Sequence, residues 1–435
     1  IIDGILFMFE IDYKKLIIKN KNISKKKNIL SINITSDWAP INNEVSDLMI
    51  KKKEKYYGNL FEYFEKGDLN ITNLETVIDI KLREFSKNAP RFINKPEILS
   101  SLSSINTNLV CIANNHIMDN GNIGLKNTIK YLKKSKINHI GAHLLNKQIY
   151  EPFKFKKNNQ KIAVINTSEG EEANEKYNNH VGSSDIESYK VIDQIRRFKS
   201  KGYLTILIAH AGVEYIPCPP PYIRNIFKNF VEEGADLVVG HHPHVSQGFE
   251  IYKNVPIFYS LGNFTMWKKN LRKNCYHSFF LNLEVQHNII SNINLVPFQI
   301  NKSGLNLISK NKFSKKIKEL NNFLPKSDKI WQAYLNRTNS KGSLFSEYLS
   351  YFYNFDEYKY NQINKYTNLS KKYSDLDYLK NEFKENLNYN YILDKWQIRN
   401  NVNLISLIKN IFNPLYKSVL MFKKILTIFK ITISR

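Results

Sequence analysis

Five short apolar runs in this chain each stop at a side chain that binds metal ions. They are spread from position 37 to position 244. Asn28–Ser36 (NILSINITS) ends at Asp37. Leu69–Asn73 runs into Glu75. Asn108–Ala113 (NLVCIA) ends at Asn114-Asn115-His116. Tyr203–Ala209 (YLTILIA) ends at His210. Asp236–Val239 leads into Gly240-His241-His242-Pro243-His244. Further runs at Lys161–Thr167 and Ile257–Ser260 read as strands, and 277–300 reads as a closing hairpin. Gly124–Ser135 has helical spacing, with Leu125, Ile129 and Leu132 on one face, and Tyr222–Glu233 is a second helix. Strands alternating with helices specify an α/β fold. In such folds the carboxyl ends of strands present ligands and catalytic groups.

Each strand end taken alone has a plain reading, since turns favour Asp and Asn and a lone histidine after a strand is more often structural than a ligand. Five coincidences of carboxylate, amide and imidazole are better explained by a site for one or two divalent ions: Mn²⁺, Zn²⁺ or Fe²⁺. His242 and His244 stand at i and i+2, so an extended backbone would aim them to the same side.

The chain of 435 residues carries 64 Lys and Arg against 39 Asp and Glu, a net charge of +25. That balance favours an anionic partner, such as an acidic polymer, a phosphorylated substrate or anionic lipid. No zinc-finger, RRM or KH pattern supports nucleic acid. Cys111, Cys218 and Cys275 are odd in number and widely spaced, which excludes a disulfide framework and fits a reducing compartment. No apolar run reaches the ~18 residues of a membrane span. No export signal is visible, so a cytoplasmic or peripheral membrane location is expected, although the chain starts on Ile1 rather than Met.

The composition divides the chain into a basic, irregular lead-in (1–27), a catalytic-looking region (28–308), a helical accessory region (309–400) and a basic tail (401–435). In the tail Lys417, Lys423, Lys424 and Lys430 share one helical arc, opposite Val419, Met421, Phe422, Ile425, Leu426, Ile428 and Phe429. A basic amphipathic helix on an anionic membrane and a helix packed on the body are both compatible with that pattern.

The segments ITSDWAP (34–40), DLNITNLET (68–76), ANNHIMDNG (113–121), HAGVEY (210–215) and GADLVVGHHPHVSQGFEIYKNVPIFYSLGNF (234–264) resemble the bacterial capsule synthesis CapA family. That family resembles a branch of the calcineurin-like metallophosphatases. The resemblance spans about residues 28–300. It implies a four-layer α/β/β/α sandwich and a metal-dependent hydrolase acting on a phosphoester or amide in capsule or surface-polymer synthesis, poly-γ-glutamate or polysaccharide. It also implies a ligand set of Asp37, Glu75, Asn115, His210, His242 and His244, with His116 as general acid or oxyanion stabiliser. Asp119 can hold the His116 ring and fix its tautomer, or serve as a turn residue. Arg91, Asn114, Glu214, Tyr215, His241 and Asn263 are the candidates for lining the substrate site. For Arg91 an exposed loop charge, and for Asn263 a turn, are the plainer readings. The superfamily's first motif is Asp-x-His, whereas here the third position is Ala39, which removes one expected ligand. A non-catalytic, metal-stabilised scaffold that binds an acidic polymer is the competing function.

Overall fold

The structure is a computed structural model that describes residues 8–23, 28–82, 90–170, 173–269, 271 and 273–331. The chain divides into two units, the first made of residues 1–87 and 91–330. Every feature below belongs to that first unit. The proposed tail helix and most of the proposed accessory region lie outside the described residues. Of that region, Lys310–Phe323 is a helix.

Among the described residues the first unit holds two large sheets. The first has nine strands, in the order Phe9–Asp12, Ile17–Asn20, Ile289–Asn301, His277–Gln286, Leu30–Trp38, Leu69–Leu74, Leu109–Cys111 and Asn138–Ile140, with Gly304–Leu307 paired to Ile289–Asn301. The last four strands of that path run parallel. The second has six strands, in the order Phe153–Lys157, Gln160–Ser168, Leu204–His210, Leu237–His241, Val255–Phe258 and Phe249–Tyr252, parallel through its middle four.

The alternation of side chains explains why the sheets stack. Leu30, Ile32 and Ile34 of one sheet meet Ile206, Ile208, Leu237 and Val239 of the other in a shared core. Each such buried Leu or Ile contributes about 1.5–3 kcal/mol relative to exposure. The opposite face of the first sheet, with Val110 and Phe280, is covered by Leu125, Ile129 and Leu132 of helix Gly121–Lys134. The helices Tyr189–Ser200 and Pro221–Glu232 cover the outer face of the second sheet. The result is the four-layer α/β/β/α sandwich. Parallel strands buried on both faces account for the near-continuous apolar run at 204–209.

One expectation is corrected. Among its described residues the lead-in is not irregular: Phe9–Asp12 and Ile17–Asn20 form an antiparallel pair that extends the first sheet from the edge of Ile289–Asn301. The sheet therefore begins before residue 28. Helix Gly121–Lys134 also starts three residues earlier than its apolar spacing indicates.

Candidate metal centre

The parallel strands of both sheets end on the same side of the sandwich, so their polar ends meet. Asp37 is the next-to-last residue of its strand and is buried. Its Oδ1 accepts from Asn73 Nδ2 (2.7 Å) and its Oδ2 from the His242 backbone N–H (3.2 Å). Asp37 Oδ1 lies 3.6 Å from His210 Nδ1, and Oδ2 lies 3.6 Å from His244 Nδ1. One carboxylate thus ties the first sheet to three histidines of the second.

Glu75, one residue past its strand, presents Oε1 to imidazole nitrogens from both sheets. The distances are 3.5 Å to His210 Nε2, 3.7 Å to His244 Nε2 and 3.9 Å to His116 Nε2. His210 Nε2 is also 3.0 Å from Asn115 Oδ1 and 3.1 Å from His242 Nδ1. Donor atoms of Glu75, His242 and His244, all buried, lie within 4.8 Å of one another. Ligands about 2.1 Å from a tetrahedral ion stand roughly 3.4 Å apart. The donor set is hard-to-borderline oxygen and nitrogen, as Mn²⁺, Zn²⁺ and Fe²⁺ prefer. The residues fit a divalent ion.

The two histidines of the His-x-His pair do not reach this position by strand alternation. Strand Leu237–His241 has already ended, and His242 (φ 96°) and His244 (φ 57°) both sit at positive φ around Pro243. The expectation of an extended pair is corrected. A turn in a region that non-glycine residues rarely occupy folds both rings inward. Gly240, just before it, is required for space: a Cβ there would collide with the Tyr259 carbonyl.

His116 stands beside this cluster. Its Nδ1 is 2.7 Å from Asp119 Oδ2, and the Phe92 ring stacks on it at 3.9 Å between centroids and 17° between planes. The Phe92 backbone N–H donates to the same Asp119 oxygen (2.6 Å). Asp119 therefore holds the histidine rather than only shaping a turn.

Burial alone would raise the Asp37 pKa. The hydrogen bond and charge of His210, with His241 and His244 close by, outweigh it and hold the carboxyl well below the usual range. His241 is pushed down to about 4 by burial, against the opposing pull of Asp37. Burial pushes the Tyr215 hydroxyl up, and Glu214 pushes it further.

Four of the residues expected to line the substrate site have other tasks. Arg91 points inward, donating from Nε to the Asp119 carbonyl (2.6 Å) and from Nη2 to Asn120 Oδ1 (2.7 Å). Asn114 is buried, donates to the Leu74 carbonyl and accepts the His116 N–H. His241 shares the strand face of Leu237 and Val239, in the core between the sheets. Asn263 is buried, with Oδ1 2.9 Å from His244 Nδ1. Arg91, Asn114 and Asn263 are drawn inward because a buried polar group needs a partner. Glu214 and Tyr215 remain half-buried at the rim. Sequence reasoning missed Asn73, Phe92 and Glu169. Asn73 was open to discovery, because it precedes Glu75 by two in an alternating strand. Glu169 accepts the Gly212 N–H (2.7 Å) and the Tyr222 hydroxyl (2.5 Å), fixing the loop after His210.

A family model described as the bacterial capsule synthesis protein PGA_cap matches residues 23–267, more than half of the chain. The chain belongs to this family. It is 30% identical over 210 residues to the capsule biosynthesis protein CapA of Bacillus anthracis, covering 46% of this chain and 51% of that protein. It is 28% identical over 236 residues to the PGA biosynthesis protein CapA of Bacillus subtilis, covering 51% of this chain and 61% of that protein. The matched part thus spans about half the length of these relatives. Among solved structures, a hypothetical protein of Thermus thermophilus aligns over 62% of this chain and all of its own, at 10% identity and a TM-score of 0.40. Among the described residues, no helix of this capsule-synthesis family member is long and apolar enough to cross a membrane.

Proposed function

We infer that this protein is a metal-dependent hydrolase that cleaves a phosphoester or amide bond during assembly of a bacterial capsule or related surface polymer. The polymer context comes from the names of its CapA relatives. The observation that carries the hydrolytic reading is a ligand cluster with an oriented acid beside it: Glu75, Asn115, His210, His242 and His244 converge, and His116 stands next to them, locked to Asp119. A site serving structure alone has no use for that locked imidazole.

Glu75, Asn115, His210, His242 and His244 would hold the ion, with Asp37 steadying the histidines. When bound, a divalent ion polarises the scissile oxygen and lowers the pKa of a water on it. Asp119 holds the Nδ1 proton of His116, which leaves Nε2 turned toward Glu75 and the site. From there His116 donates a proton to the leaving group, a role typically worth 10²–10⁴-fold in rate. Asp119 stabilises the imidazolium that this role requires. Phe92 covers one ring face and keeps the ring from rotating out of line. The charge of +25 supports an anionic polymer or phosphorylated substrate as the partner.

The test is elemental analysis of protein purified without added metal, on wild type and His242→Ala, followed by Mn²⁺-dependent assays on phosphodiester and γ-glutamyl amide substrates. Metal in the wild type that falls in the variant, together with turnover of either substrate class, is the expected result. Metal without turnover would leave a polymer-binding scaffold. No metal even after soaking in Mn²⁺ or Zn²⁺ would remove the catalytic reading.

A further inference from the structure

We propose that helix Gly121–Lys134 carries a binding track for a linear polyacid, a chain with a carboxylate on every unit, along a lysine stripe that starts beside the metal centre. The inference rests on the anionic-partner side of the reading above and names the surface that takes that partner.

From Asn120 to Tyr150 the chain holds Lys126, Lys130, Lys133, Lys134, Lys136 and Lys147, and no Asp or Glu. All of these lysines are exposed. At about 3.6 residues per turn, Lys126, Lys130, Lys133 and Lys134 fall within an arc of about 100°. Leu125, Ile129 and Leu132 are buried on the other side, against the first sheet. The Asp79 carboxylate, which meets this helix, is buried and accepts from Asn120 Nδ2 (2.7 Å) and Asn127 Nδ2 (2.9 Å). The helices on the second sheet are different. There Arg196 pairs with Glu233, Lys199 with Asp236, and both Arg224 and Lys228 with Glu250. On the stripe, like charges stand at i,i+3 and i,i+4, a spacing at which they repel and weaken a helix. Their field reaches the residues that follow: burial, with Lys133 adding to it, depresses both His139 and His143.

The stripe is aimed at the site. Gly121 stands two residues past Asp119, the carboxylate that holds His116. At about 1.5 Å per residue, Lys126 lies about 8 Å along the axis from the helix start and Lys134 about 20 Å. A polymer lying on the lysines therefore leads to His116. Lys126, Lys130 and Lys134 rise in steps of about 6 Å, and alternate units of an extended acidic polypeptide repeat at roughly 7 Å. Flexible lysine stems absorb that difference. The arc holds no arginine, so it lacks the planar fork that grips phosphate and instead reads charge along a chain. A membrane fits less well, because an interfacial helix turns its apolar face to lipid and this one buries that face in the protein. None of the arc residues is aromatic, so the arc offers no platform for stacking a nucleic-acid base.

The experiment is fluorescence anisotropy of labelled poly-L-glutamate with the full chain over a series of salt concentrations. The track variant carries Lys126→Gln, Lys130→Gln and Lys134→Gln, and Gln is a good helix former. The control carries Lys312→Gln, Lys315→Gln and Lys318→Gln, exposed positions of helix Lys310–Phe323, and has the same net charge as the track variant. Affinity should fall about tenfold or more in the track variant, with a slope of log affinity against log salt shallower by about 2. The control should bind like wild type. Arginine at the same three track positions keeps the charge and should keep the binding. Equal losses in track variant and control would overturn the inference, since total charge would then account for binding. Tighter, track-dependent binding to phosphatidylglycerol vesicles or to oligothymidylate would overturn it too. The measurement needs neither metal nor turnover, so the two readings fail separately. A chain that binds no Mn²⁺ would remove the hydrolytic reading and leave the track, whereas polymer binding indifferent to the track would do the reverse. Should the triple variant fold poorly, Lys126→Gln with Lys130→Gln provides the same comparison.

Discussion

Asp37, Asn73, Glu75 and Asn115 come from the first sheet, whereas His210, His242 and His244 come from the second. Within this set the oxygen donors approach from one layer and the imidazole nitrogens from the other. The two sides also differ in backbone. On the first-sheet side none of Asp37, Asn73, Glu75, Asn115 and His116 has positive φ, while on the second-sheet side His242, His244 and Tyr215 all do. Residues held in sparsely populated regions cost of order 1–3 kcal/mol each and persist where the surroundings fix them. The first sheet thus supplies charge from relaxed strand ends. The second supplies imidazoles from a turn held in place by its contacts to Asp37, Asn263 and the loop at Tyr215.

The sharpest way to break this division is at Glu75, the carboxylate that faces histidines of both layers. Glu75→Gln keeps the shape and removes the charge. Mn²⁺ affinity measured by calorimetry should fall by about two orders of magnitude or more, beyond the effect of a supporting residue. Retained affinity would mean that the second sheet binds metal by itself. The His116 side should behave in the opposite way. His116→Asn should leave metal content unchanged and lower turnover about 10²–10⁴-fold. Asp119→Asn should give a smaller loss, mainly in kcat. Loss of metal in either variant would merge the two sides into one ligand set.

Acid separates the layers by pH. The His241 pKa is depressed to about 4 by burial, against about 6.5 when unfolded. Between those values the unfolded chain binds the extra proton, so stability present above pH 6.5 is lost as pH falls toward 4. The loss is on the order of 3 kcal/mol. Asp37 is depressed as well, but it is a carboxylate. Its contribution is present above about pH 4 and goes only as pH falls further, through its folded value. Denaturant midpoints of chelated protein, taken from pH 7 to pH 4, should therefore drop in wild type and drop less in His241→Gln. His139, in the edge strand of the first sheet, is also held near 4, by burial and then by His143 and Lys133. His139→Gln is the control for the remaining slope in that window.

The fold was legible because apolar runs at 30–34, 109–112 and 204–209 are long enough to mark buried strands, and the site was legible because polar residues follow them. The strands at Phe9–Asp12 and Ile17–Asn20 were not, since four-residue runs among lysines carry no clear period. The identity of His242 and His244 was readable, but their approach was not, because alternation says nothing about a positive-φ turn. Phe92 and Arg91 were hidden for another reason. Their partners lie 24 to 29 residues away, at His116, Asp119 and Asn120, and no local pattern reports a contact of that kind.

The smallest expected effect tests how the second sheet's turn is held. Asn263 Oδ1 accepts a hydrogen bond from His244 Nδ1 while its backbone bridges to Asp37, so it touches both layers. Asn263→Ala frees the ring without removing a donor atom, and it leaves the Asp37 bridge in place because that contact is backbone. If the turn at His242 and His244 is rigid through its own backbone, Mn²⁺ affinity will hardly change. If the imidazole depends on the amide for its tautomer, affinity should fall about tenfold, the lower end for a supporting hydrogen bond to a ligand histidine. Asn263→Asp then separates orientation from charge. It restores an acceptor for the Nδ1 proton, so recovery of affinity would locate the function of Asn263 in its oxygen and place the control of His244 in the layer interface rather than in the turn.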